Sequence, residues 1–281
     1  MYHIVADSGC DIFELAGAPS FATVPLTIST DKDHFLDDKT LNTHAMIEHM
    51  LAYKGRSFTA CPSTEAWMKA FDLPDGSAPE ELFIVTLTSG LSGTYNSACV
   101  AKDMYLELHP ETKAYVVDSL SVGPEMVLIL EKIRELKNAG CSFEEVCEQI
   151  RKYQEGTRLF FAFKSLHNLA ENGRVNKLVA AAAGVLGISV CGTASPEGEI
   201  QQTGKARGDK HVVSSFLKSL EEAGYKGGKL RISQTENEKL AEKIRAAVVE
   251  TYPSADVQIN PVRGLCAYYT ERGGVVLGME A

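Results

Sequence analysis

The segment Leu87-Thr-Ser-Gly-Leu-Ser-Gly-Thr-Tyr-Asn-Ser97 holds the densest set of residues able to do chemistry. It follows an apolar run, Glu81–Leu87, that reads as a buried strand, and it opens a helical stretch reaching Leu108. The first turn of a helix carries N–H groups without internal partners at the positive end of its dipole. An anion is held there without a cationic side chain. Gly90 and Gly93 permit tight turns and close approach of a ligand, and Ser89, Ser92 and Thr94 add hydroxyl donors. A carboxylate or phosphate would suit Ser92 and its neighbouring amides. The plainer alternative is that Ser92 or Thr94 only caps the helix. The spacing is neither that of a phosphate-binding P-loop nor of a nucleophile elbow, because Gly93 follows Ser92 directly.

A second cluster is Thr59-Ala-Cys-Pro-Ser63. Pro62 disfavours helix at Cys61, so the segment is expected to run as a loop until Ser63 caps the next helix. Thr59 would then offer a hydroxyl from a loop. Cys61 has no histidine or cation beside it in sequence to activate the thiol, so a nucleophilic role is not expected. The seven cysteines show no CxxC pair, and the seven histidines show no HxH or HExxH pattern. No metal site is expected, and most thiols should be buried or inert.

The elements that must position these hydroxyls alternate strand and helix. Tyr2–Ala6, Val24–Ile28, Glu81–Leu87 and Lys113–Val117 read as strands, and Leu41–Tyr53, Val127–Leu136 and Phe143–Tyr153 read as helices. This pattern predicts a doubly wound α/β domain with a mostly parallel sheet over residues 1–156. Residues 157–281 change character. Arg158–Phe163, Ser189–Cys191, Glu199–Gly204, Leu230–Ser233 and Val257–Ile259 read as strands. Helices are expected over Leu166–Ala170, Val175–Leu186, Lys210–Ala223 and Glu236–Thr251. Leu265–Tyr269 and Val275–Met279 suggest a closing hairpin, and the whole reads as an α+β domain.

The chain has 281 residues, 44% of them hydrophobic, and a formal net charge of −9. That balance is ordinary for a globular protein and argues against nucleic acid or an anionic membrane surface as bulk partners. The N-terminal residues lack the basic and apolar regions of a signal peptide, and the longest apolar run, Leu178–Cys191, is too short to span a bilayer. A cytoplasmic location without stable membrane insertion is expected.

Several segments, in order, resemble the DegV family. They are Val5-Ala-Asp-Ser8, Thr59-Ala-Cys-Pro-Ser63, Thr86-Leu-Thr-Ser-Gly-Leu-Ser-Gly-Thr-Tyr-Asn-Ser-Ala98, Val116-Val-Asp-Ser119, Leu166-His-Asn-Leu-Ala-Glu-Asn-Gly-Arg-Val-Asn-Lys177 and Gly204-Lys-Ala-Arg-Gly-Asp-Lys210. The resemblance implies a DegV-like fold, with an N-terminal α/β domain, a C-terminal α+β domain and a long-chain fatty acid, such as palmitate, in a tunnel between them. It implies a carrier, not an enzyme, with no cofactor. It assigns the carboxylate to Thr59 and Ser92, with Gly93 and Thr94 beside them. Arg174 matches a family arginine near the head group or the domain junction, although an exposed ion pair would serve equally well. Lys205 and Arg207 match a surface motif that in some members docks a kinase phosphorylating the bound fatty acid.

Two positions depart from the family pattern. Ala60 stands where a serine is usual. A gapless alignment of Pro261–Gly278 puts Tyr269 where the family has histidine. Tyrosine donates a hydrogen bond but carries no positive charge at neutral pH. It could equally be a strand aromatic.

Burying a methylene contributes about 0.8 kcal/mol, so a tail of roughly 14 methylenes supplies on the order of 11 kcal/mol before ordering costs. The tail drives binding, and the head group needs only to be satisfied. Leu178–Gly187 and Phe160–Phe163 could line such a tunnel, although most of them would serve as plain core. The competing reading is an enzyme acting on a small anion at the Ser92 loop.

Overall fold

The computed structural model describes residues 1–176 and 187–281. Most of the helix expected over Val175–Leu186, and most of the tunnel candidates Leu178–Gly187, lie outside the described residues.

Four parallel strands form the first sheet, in the order β2-β1-β6-β7: β1 (Tyr2–Asp7), β2 (Phe21–Val24), β6 (Glu81–Thr86) and β7 (Lys113–Asp118). Its apolar runs are unbroken because both faces are covered. On β6, Leu82 and Ile84 pack with Trp67, Phe71, Ala98 and Ala101 of α2 (Thr64–Phe71) and α3 (Thr94–Leu108). Phe83 and Val85 face the other way, onto α4 (Pro124–Asn138) and α5 (Phe143–Gly156). The helix starts follow the expected chemistry. Ser63 accepts from the Ala66 amide, and Ser142 and Glu145 form a capping box.

A second sheet of six strands runs β10-β9-β8-β13-β11-β12, drawn from β8 (Thr157–Phe163), β9 (Ile188–Ala194), β10 (Ile200–Arg207), β11 (Lys229–Gln234), β12 (Asp256–Pro261) and β13 (Val275–Glu280). All its pairs are antiparallel except β11 with β12. One face, including Phe160, Ala162, Leu277 and Met279, packs under α7 (Asp209–Glu222) and α8 (Glu238–Thr251). The opposite face carries Leu159, Phe161, Phe163 and Val276, beside α6 (His167–Glu171).

A small antiparallel sheet, β4-β3-β5, joins β3 (Thr27–Ser29), β4 (His34–Leu36) and β5 (Phe58–Ala60) beside α1 (Thr43–Ala52). The two large sheets are fastened by a buried fork. Arg231 of β11 donates to both carboxylate oxygens of Glu131 on α4, at 3.0 and 2.8 Å, and also to Asp256. Gly278 lets α4 lie directly on β13, since a Cβ there would sit 2.6 Å from the Glu125 amide nitrogen.

Three local expectations are corrected. Val24–Ile28 is not one strand. Pro25, which has no N–H, separates β2 from β3, and the two join different sheets. Thr59 is not in a loop but at the centre of β5, paired with Ile28. The closing hairpin is absent, because Gly264–Thr270 forms a helix, α9. The cause is remote. The Asp37 carboxylate accepts from the Gly264 and Leu265 amides at 2.7 and 2.9 Å and so caps the helix from the other half of the chain. The final strand β13 instead pairs centrally, between β8 and β11.

Candidate functional site

The turn after β6 is held from three sides. The Leu87 amide donates to Asp7 at 2.7 Å, and the Ser89 amide donates to Asp118 at 3.1 Å. Thr88 donates its hydroxyl to the Gly198 carbonyl at 3.0 Å, which docks the β9–β10 turn against it. Gly90 is needed at this seam, since a Cβ there would lie 2.6 Å from the Glu197 carbonyl oxygen. The turn then delivers Ser92, whose Oγ lies 2.7 Å from Thr94 Oγ1 and accepts from the Thr94 amide at 3.3 Å. Gly93 occupies the N-cap of α3 and offers no side chain.

Thr59 reaches the same place from β5. Ile28 and Thr59 share one face of the small sheet, whereas Phe58 and Ala60 point outward. Ser97 Oγ donates to the Pro62 carbonyl at 2.8 Å and fixes the Thr59–Ser63 segment to α3. The Thr59 and Tyr269 hydroxyls are 2.7 Å apart. Burial pushes the Tyr269 phenol up, opposed in part by its bond to Thr59 and the nearby Arg174 charge, so it remains a neutral donor. Arg174 donates to the Leu91 and Asn172 carbonyls at 3.2 and 2.6 Å, and its guanidinium lies 5.9 Å from the Tyr269 ring centre.

Thr59, Ser92, Arg174 and Tyr269 all border one cavity with about 890 Å³ of empty space, open mouth included. Thr94 is buried immediately behind Ser92. The remaining wall is mostly apolar: Leu159, Phe161, Phe163 and Val276 from the second sheet, Leu87 and Leu91 from the turn after β6, and Leu265 from α9. Phe161 and Phe163 stack with their ring centres 4.5 Å apart. Of the Phe160–Phe163 run, alternation along β8 sends Phe161 and Phe163 to the cavity and Phe160 to the opposite core.

The sequence patterns did not single out the turn Ser121–Pro124 or Asp11, which also line the cavity. Their signal is weak: an Asp-Ser end to β7 and a lone acid after β1. Lys205 and Arg207 lie apart from this mouth, exposed on the edge strand β10. All seven cysteines are free; Cys10, Cys147, Cys191 and Cys266 are buried, and Cys61 is exposed. Among the described residues, His44, Glu48 and Glu236 lie close enough to share a cation, but Arg272 already bridges the two glutamates. Among those residues no helix is long and apolar enough to cross a membrane.

The family model described as "Uncharacterised protein, DegV family" matches residues 1–280. The chain belongs to the DegV family. A DegV family protein from Eubacterium eligens, crystallised loaded with heptadecanoic acid, is 50% identical, with each chain covered over 100% of its length and a TM-score of 0.96. The Streptococcus pneumoniae Fatty Acid Kinase (Fak) B3 protein, loaded with linoleic acid, is 42% identical over 99% of each chain, with a TM-score of 0.95. A DegV domain-containing protein of S. pneumoniae is 43% identical over 282 residues, 99% of each chain. The fold is therefore the DegV fold, with its parallel N-terminal sheet and mixed C-terminal sheet.

Proposed function

We propose that this protein is a carrier of long-chain fatty acids, of the palmitate class, that does no chemistry itself and presents the bound acid to a separate fatty-acid kinase. The observation that carries the reading is the composition of the cavity: a long apolar wall ending at a mouth of neutral hydroxyls. The carboxylate would accept from Ser92, Thr59 and Tyr269 and from amides around Gly93 and Thr94, with Arg174 as the nearest positive charge. Tyr269 would serve as a neutral donor at the position where the family pattern has histidine. Lys205 and Arg207 would meet the kinase, in the cytoplasm. Residues 1–156 and 157–281 would act as two domains closing on the ligand. The relatives loaded with heptadecanoic and linoleic acids support the ligand class. Fak B3 supports the link to a kinase.

An enzyme acting on a small anion fits less well. Ser92 Oγ pairs with Thr94, not with a histidine or carboxylate, so nothing activates it. The cavity wall is greasy where a small anion would need polar contacts on all sides.

Native mass spectrometry of the purified protein, followed by extraction, tests the reading. The expected result is a bound long-chain fatty acid that is retained less well after Ser92→Ala or Thr59→Val. Turnover of a small anion by the pure protein, with no lipid bound, would contradict it.

A further inference from the structure

Two of the residues at the cavity mouth are carried by marginal elements. Thr59 lies on β5, a three-residue edge strand that the ladder holds on one side only, through β3. Arg174 follows α6, a helix of five residues, too short to be stable alone. One side chain reaches both. The Tyr268 phenol oxygen lies 2.7 Å from Ser57 Oγ, two residues before Thr59, and accepts from Asn172 Nδ2 at 2.9 Å, two residues before Arg174. Asn172 in turn offers its carbonyl to the Arg174 guanidinium at 2.6 Å. The Tyr268 backbone is tied down as well, since its carbonyl accepts from Asn168 Nδ2 of α6 at 2.7 Å. Its ring meets the Tyr269 ring edge to face, with centres 4.9 Å apart. Burial pushes the Tyr268 phenol up, against the bonds from Ser57 and Asn172, so the hydroxyl stays protonated and can donate to Ser57 while accepting from Asn172. Tyr268 is buried and does not line the cavity, so its bonds are spent on the protein and not on a ligand.

We infer that Tyr268 is a positioning residue for head-group recognition. Its hydroxyl ties the Thr59 strand to the Arg174 turn, and so sets the spacing between the neutral donors and the positive charge that together tell a carboxylate from an uncharged head group. This rests on the fatty-acid reading above. A phenylalanine at this position would keep the ring among its apolar neighbours, which include Met46, Ile47 and Val262, and would lose only the hydroxyl. Ser57 would lose this partner, and the Asn172 side chain would keep its bond to the Asn168 carbonyl, at 2.9 Å. The strand and the turn would then be free to shift independently. Hydrogen bonds to a charged group are strong only at short distance and good angle, so a small displacement of either donor costs acid affinity.

The test is a displacement titration of palmitic acid and of hexadecanol on the wild type, Tyr268→Phe, Thr59→Val and the double variant. Tyr268→Phe should weaken the acid about tenfold and leave the alcohol within about twofold. A residue that only stabilised the fold would weaken both ligands alike, or neither. In the Thr59→Val background the further loss of acid affinity should be clearly smaller, because the hydroxyl that Tyr268 places is already gone. If Tyr268→Phe does not fold, Ser57→Ala, which leaves the phenol in place, decides with the same two ligands, the acid alone weakening about threefold. Equal losses for acid and alcohol, no loss for either, or full additivity with Thr59→Val overturns the positioning role; failure of the wild type to bind palmitic acid overturns the fatty-acid reading instead.

Discussion

The two large sheets meet the cavity in different ways. The parallel sheet offers an edge: the carboxyl ends of its strands, where turns expose amides, hydroxyls and the start of α3. The mixed sheet offers a face: Leu159, Phe161, Phe163 and Val276, on strands whose backbones are largely engaged with their neighbours in the ladder. Edges of parallel sheets are where polar ligand groups are met, because the backbone there is not consumed by neighbours. A face can offer only side chains. Setting an edge against a face makes a site with one wet end and one greasy wall, which suits a molecule with a head and a tail.

The comparison is broken most severely by charging the face. Phe161→Glu would place an unpaired carboxylate in the apolar wall, at a cost of several kcal/mol. Retention of a long-chain acid should fall by more than about a hundredfold in a displacement titration, and a long-chain alcohol should be lost equally. Altering the edge should be milder and selective. Ser92→Ala combined with Thr59→Val removes two hydroxyls, each worth about 1 kcal/mol. Acid binding should weaken by roughly ten- to a hundredfold, while the alcohol changes little. Equal losses for acid and alcohol would show that these hydroxyls do not read the head group.

The seam between edge and face can be sprung without touching either. Gly90→Ala puts a Cβ against the Glu197 carbonyl. The backbone cannot yield cheaply, and a destabilisation of about 1–3 kcal/mol, read in thermal melts, is expected. The smallest effect belongs to Arg174→Gln. The side chain is partly buried and spends two bonds on carbonyls, so affinity should change a few-fold at most.

How legible each region was follows from the range of its determinants. The parallel sheet was readable because β1, β6 and β7 are local apolar runs and Ser63 caps within its own segment. Helix α9 was not, because an alternating apolar stretch reads as strand until Asp37, more than two hundred residues earlier, caps it. That misreading matters for the site, since Tyr269 reaches Thr59 from a helix and not from a hairpin. Pro25 is visible in the sequence, but its consequence, sending β2 and β3 to different sheets, depends on tertiary pairing. Thr59, Ser92, Arg174 and Tyr269 were nameable through motif order, and the structure gathers them on one cavity. Asp11 was nameable by neither route, because its place on the cavity wall becomes visible only once the elements around it are packed.

The most direct measurement is a crystal structure with a long-chain fatty acid bearing bromine at its methyl end, so that anomalous scattering fixes the tail independently. The account predicts bromine against the Leu159–Phe161–Val276 wall and the carboxylate within hydrogen-bond distance of Ser92 and the Thr59–Tyr269 pair. Bromine at the Ser92 turn, or a chain lying outside the cavity, would contradict it.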